Sequence, residues 1–124
     1  MEQPISPTSN QPRHAGLVWW FACILLVGGL FVLGRTSYAV GLFSPPWDKA
    51  AHATVFGLLT WFFFQAFGAR GVLLAAALAL CIGAADELQQ LFLPGRTSDV
   101  TDFLADTLGA GLATVAIRRI ARHA

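Results

Sequence analysis

Apolar and polar residues fall into long alternating blocks along this chain. Met1 to Gly16 is polar and carries Pro4, Pro7 and Pro12, a composition that predicts a short flexible tail. From Leu17 to Gly34 the chain then runs 18 residues without a charge, with Trp19 and Trp20 near its start. At ~1.5 Å per residue such a run crosses a hydrocarbon layer of ~30 Å, so it predicts a first membrane helix. Arg35 to Trp47 holds Gly41 and Pro45-Pro46, which stop a helix, while Tyr38 and Trp47 suit a headgroup interface. A second apolar stretch, from about Lys49 to Phe67, closes on Trp61, Phe62, Phe63 and Phe64, and Arg70-Gly71 makes a turn. A third runs from Val72 to Leu93 and ends at Pro94-Gly95. The fourth runs from about Asp99 to Ile117 and is followed by Arg118, Arg119 and Arg122.

Helices joined by connections this short pack as antiparallel neighbours, which predicts an all-α integral membrane four-helix bundle. The expected organisation is a flexible tail over 1–16, a transmembrane domain over 17–117 and a basic tail over 118–124. Ala105, Gly109 and Ala113, at intervals of four, suit close helix contact. A secretory signal peptide is the competing reading of the first helix, since Ser37-Tyr38-Ala39 has the small residues of a cleavage site. A run of 18 behind a tail of 16 exceeds the roughly 7–15 residues of a signal core, which favours a retained helix.

Composition narrows the class. Of 124 residues 56% are hydrophobic and 12% charged, roughly half the charge of a soluble globular protein, and the apolar excess excludes disorder. A net charge of +1 provides no footprint for nucleic acid. Cys23 and Cys81 both fall inside expected spans and read as packing residues, not a disulfide framework. The tail, the second turn and the C-terminus carry Arg13, Arg70, Arg118, Arg119 and Arg122, against Arg35, Lys49 and Arg96 on the other side. By the positive-inside rule both termini are cytoplasmic and the first and third loops face outward.

The acids are placed against expectation for so apolar a chain. Apart from Glu2, all of them (Asp48, Asp86, Glu87, Asp99, Asp102 and Asp106) lie at or within the expected spans, near the outer ends of helices two, three and four. Asp48 and His52, Asp86 and Gln90, and Asp102 and Asp106 are each four apart, so each pair shares a helix face. An ionised group at the bilayer centre costs about 2.5–3.5 kcal/mol even on the lenient insertion scale, so these faces turn inward, to a polar interior or a wet cavity. Asp99, at a helix start, is as well explained by capping. A structural polar network is the plain alternative for the rest.

These residues carry a resemblance. Asp48-Lys49-Ala50-Ala51-His52 followed by Phe56 and Leu59, then Asp86-Glu87-Leu88-Gln89-Gln90, then Pro94-Gly95-Arg96, then Asp102 with Gly109, occur in the order found in VanZ-like membrane proteins and cover positions 48 to 109. That family's last element usually reads Asp, three residues, Asn, then Gly; here Asp106 stands where the Asn belongs, adding a negative charge. The resemblance implies a multi-pass protein of the bacterial inner membrane in the cell envelope. The family's namesake is associated with low-level resistance to the glycopeptide antibiotic teicoplanin, and many members are uncharacterised.

Six acids against Lys49 and Arg96 sum to a formal −4 with His52 neutral, and neighbouring carboxylates resist joint ionisation. Bound protons, a hard cation or a cationic ligand are the candidate compensators. A metal on His52, Asp86 and Glu87 is conceivable, but no His-Glu-x-x-His or Cys/His pattern supports it, so the sequence assigns no metal and names no cofactor. Three functional readings fit this layer. In an enzyme acting on an envelope lipid or lipid-linked substrate at the outer leaflet, Glu87 is the general acid/base beside Asp86, and His52 its proton partner. Lys49 and Arg96 then hold an anionic headgroup, with Gln90, Asp48, Asp102 and Asp106 completing the substrate site. A small proton- or cation-coupled transporter or binding protein uses the same carboxylates and predicts a homodimer. A structural membrane subunit uses them only to orient helices.

Overall fold

The computed structural model describes the backbone of residues 13–36 and 41–124. Most of the expected tail, together with Tyr38 and the Ser37-Tyr38-Ala39 site, lies outside the described residues. Four helices carry the fold: α1 (Arg13–Gly34), α2 (Trp47–Phe67), α3 (Val72–Gln90) and α4 (Val100–His123), with a single 3-10 turn at Ala69–Gly71 between α2 and α3. All four are long and apolar enough to cross a membrane. At ~1.5 Å per residue, helices of 19 to 24 residues span about 29–36 Å.

Helix ends follow local chemistry. α1 begins at Arg13, four residues before the uncharged run, because nothing from His14 to Gly16 breaks a helix. α2 ends at Gly68, whose φ of 83° lets its N–H turn back to Phe64 O at 2.8 Å, an end that residues with a Cβ rarely adopt. α3 stops at Gln90, three residues short of the expected Leu93. Pro94 disfavours helical geometry at Leu93, and the chain closes instead through turns in which the Leu93 N–H reaches Gln90 O at 3.3 Å and the Arg96 N–H reaches Leu93 O at 3.2 Å. α4 runs past Ile117 through the arginines to His123, and Arg122 and His123 in its last turn complement the negative end of the helix dipole.

The bundle is centred on α2, which packs most extensively on α4, then on α3 and α1; α3 also packs on α4, and α1 touches α3 only lightly. α1 is thus a flank, held to α2 by Trp19 on Phe62, with ring centroids 5.5 Å apart, and by Trp20 edge-on to Phe67 at 5.1 Å. Cys23 joins Phe56, Leu59, Phe63, Ala75 and Ala79 in the apolar core. Cys81, by contrast, is exposed on α3 and is not one of these buried residues.

Along α4, Asp102, Ala105, Asp106, Gly109, Ala110 and Ile117 form the buried stripe, while Leu104, Leu108, Leu112 and Val115 point outward. α1 likewise exposes Leu17, Phe21, Ile24 and Val32. So much exposed apolar surface is unsuited to water and suited to lipid tails. Inside the bundle the pattern inverts, and the groups turned inward at one end are charged.

Candidate functional site

Three helix ends meet in one layer: the start of α2, the end of α3 and the start of α4. The contacts across them require α2 and α4 to run one way and α3 the other. α3 illustrates the gradient, for its buried face passes from Ala75, Ala79 and Gly83 to Asp86, Glu87 and Gln90. By residue count the layer reaches from the helix ends, at Asp99, to about 9 Å inside, at Asp106.

The outer part of the layer is organised by Lys49. Its ammonium lies 3.2 Å from Asp48 Oδ2 and 3.0 Å from Asp99 Oδ2, and it pairs with Asp102 Oδ1 as well. An ammonium has three donors, and here each faces a carboxylate. In this arrangement Lys49 ties α2 to α4. Asp99 is the helix cap that its position suggested and an ion partner of Lys49 as well. Its Oδ1 accepts from the Thr101 N–H at 2.8 Å as the α4 cap, while Oδ2 faces Lys49. The Thr101 side chain and N–H, followed by Lys49, hold the Asp99 carboxyl down at about 2.

The inner part centres on His52. Its Nδ1 lies 2.8 Å from Asp106 Oδ1, and its Nε2 stands 3.8 Å from Asp102 Oδ2, beyond hydrogen-bond reach. Asp106 is completely buried, and Asp106 Oδ2 has no hydrogen-bond partner. Gly83 makes room for this carboxylate, since a Cβ at position 83 would stand 2.8 Å from Oδ2. Asp86 Oδ2 accepts from Gln90 Nε2 at 3.1 Å. Glu87 Oε2 accepts from Ser98 Oγ and from the Asp99 N–H, both at 3.0 Å, while Oε1 is buried without a partner.

One ring nitrogen of His52 and one carboxylate oxygen each of Asp86 and Glu87 lie within 4.8 Å of one another. The three residues read from sequence as the chemical centre thus come together from two helices, in an arrangement that also fits a cation. Gln90, Asp102 and Asp106 lie against them as described, while Asp48 pairs with Lys49 and lines the adjoining cleft. Arg96 makes no ion pair among the described residues and lines the adjoining cleft. Sequence reading missed Ser98 and Gly83. Ser98 had a signal, a hydroxyl just before a helix cap, but its partner lies 11 residues back on α3.

The cleft beside this layer has a volume of about 560 Å³. Leu25, Leu26, Leu30 and Leu33 of α1 form an apolar wall, with Leu42 and Phe43 from the following loop. His52, Asp86, Arg96, Asp48 and Asp102 line it as well. An apolar wall and a charged one in the same cleft suit an amphiphile.

No curated protein and no solved structure matches the chain. A family model described as VanZ/LLP1 matches residues 7–122, nearly the whole length, and takes in every residue of the polar layer. The chain therefore belongs to the VanZ/LLP1 family.

Proposed function

We propose that the cleft binds the headgroup of an envelope lipid or lipid-linked substrate at the outer leaflet of a bacterial inner membrane, with both chain termini in the cytoplasm. The carrying observation is the cleft's two-sided lining, leucines of α1 on one side and His52, Asp86 and Arg96 on another. An acyl or polyprenyl chain lies along the leucines, which are equivalent to lipid tails, and the headgroup reaches the polar layer. Arg96, without a carboxylate partner, contacts the anionic oxygen of the headgroup, with a planar fork of donors suited to phosphate.

In this reading Glu87, buried beside the cleft and not lining it, exchanges a proton with the headgroup through His52, which does line it. Its Oε2 is fixed by Ser98 and the Asp99 N–H, so Oε1 is the oxygen left for that work. His52 is oriented by Asp106, and its Nε2 is the free ring nitrogen for relaying the proton. Teicoplanin susceptibility is a direct cellular readout of such an activity, given the family's namesake.

Comparative lipidomics of cells expressing the wild type and Glu87→Gln tests the reading. A lipid or peptidoglycan precursor altered by wild type and not by the variant is expected. Identical profiles, with both proteins inserted, overturn the enzyme reading. Thiol labelling of a cysteine introduced at Gly41 tests the orientation; labelling from the cytoplasmic side alone inverts it.

A further inference from the structure

The geometry points to a divalent transition-metal site on His52, Asp86 and Glu87, with Asp106 as the group that orients the histidine ligand. Ion binding here stands on the arrangement of these side chains alone and does not require that the substrate be a lipid; an ion takes Glu87 Oε1 and His52 Nε2 as ligands in place of the proton-transfer roles given to them above.

Three observations carry it. The ligand atoms of the three residues already lie within 4.8 Å of one another. Donors around a tetrahedral ion at about 2.1 Å are about 3.4 Å apart, so side-chain torsions close the remaining gap without moving a helix. Second, Glu87 is only 8% exposed, and its Oε1 has no partner. A proton shared with Asp86 or the His52 ring would satisfy that oxygen alone, whereas a cation satisfies all three ligand groups together. The cation also removes the cost of burying an unpaired carboxylate. Third, the tautomer is suited to a metal. Asp106 Oδ1, 2.8 Å from Nδ1, fixes the proton there and leaves the Nε2 lone pair free. A carboxylate on the far nitrogen of a histidine is the usual outer support of a metal-bound imidazole.

Charge agrees with this. Lys49 is taken up by Asp48, Asp99 and Asp102, so among the described residues His52 and Arg96 are the groups beside the cleft left to compensate Asp86, Glu87 and Asp106. A dication at the three-residue cluster supplies what is missing. One imidazole nitrogen with two carboxylates is a mixed donor set that suits Zn²⁺ or Mn²⁺, whereas Ca²⁺ and Mg²⁺ favour oxygen alone. Three protein ligands leave a coordination position open, as in sites that bind water or substrate.

The test uses the full chain, purified in detergent without a histidine tag, stripped with chelator and dialysed against Zn²⁺. Elemental analysis is expected to find about one ion per chain in wild type. His52→Ala and Glu87→Gln are expected to bind at least tenfold more weakly, and His123→Ala, at the opposite end of α4, to bind as wild type does. Co²⁺ loading of the wild type provides a readout independent of variants, with visible bands of a four- or five-coordinate ion expected. Wild type that retains no Zn²⁺ above the Glu87→Gln level, or Co²⁺ that keeps its aqueous spectrum, overturns the site. So does a His123→Ala protein that loses the ion while His52→Ala keeps it.

Discussion

Gly109 on α4 lies against the backbone of Ala53 on α2 so closely that a Cβ at position 109 would stand 2.0 Å from the Ala53 carbonyl oxygen. A Cβ at Gly57 would in turn meet the Gly109 carbonyl oxygen at 3.3 Å. This backbone-to-backbone crossing lies within one turn of both His52, the neighbour of Ala53, and Asp106, three residues before Gly109, and it sets the distance between them. Gly109→Ala must push the helices apart, against backbone atoms that have no rotamer by which to yield. A loss of about 3 kcal/mol or more is expected, the upper range for overpacking. Gly111→Ala, which meets nothing within 4 Å, is expected to stay within about 0.5 kcal/mol of wild type. Reversible unfolding in mixed micelles measures both, and equal effects would show that the crossing is not tight.

Lys49 is expected to act as a structural tie. Lys49→Met leaves Asp48, Asp99 and Asp102 facing one another without a cation. Its thermal midpoint should fall by roughly 4–8 °C. Adding Asp102→Asn to that variant should recover part of the loss, because it removes the repulsion the first change exposed. If the double variant is no more stable than Lys49→Met alone, the two residues are not coupled.

Much of this arrangement is legible in the sequence because lipid enforces it. An uncharged run such as Leu17–Gly34 has few alternatives to a membrane helix, and Asp102 and Asp106 on an otherwise apolar helix have to face inward. Spacing within a helix shows which residues share a face, so the meeting of His52, Asp86 and Glu87 in one layer could be foreseen. Pairings between helices could not. Whether Lys49 faces a substrate or three carboxylates depends on the rotation of α2 against α4, which the contact of Ala53 with Gly109 decides. The flanking position of α1 was equally hidden, since a uniformly apolar helix carries no face to read.

Asp99 predicts an acid-labile element. Its carboxyl is held at about 2, below the ordinary 3.8, by the Thr101 side chain and N–H and then by Lys49. A folded-state value below the unfolded one means that the stabilisation is complete above about pH 4 and is lost as pH falls from there towards 2. Asp99→Asn keeps an N-cap acceptor and removes the titration. The variant should therefore show a smaller drop in unfolding midpoint between pH 5 and pH 2.5 than wild type does, by melts followed with circular dichroism. Parallel pH profiles would remove Asp99 from the acid response.

At position 106 the family's usual residue is Asn, and the geometry indicates what the change to Asp does. Asp106 Oδ1 is the partner of His52 Nδ1 at 2.8 Å, and an amide oxygen in the same place accepts the same ring N–H. Asp106→Asn should therefore preserve the orientation of His52 while removing one buried charge, with a stability change under about 1 kcal/mol. Asp106→Ala leaves the Nδ1–H without an acceptor and opens space beside Gly83 and Phe56, so about 1–3 kcal/mol is expected to be lost. The ring N–H of His52 in ¹⁵N-labelled protein separates the two variants. It should remain protected from exchange in wild type and Asp106→Asn and become exchangeable in Asp106→Ala. Equal protection in all three would mean that Asp106 does not orient the histidine.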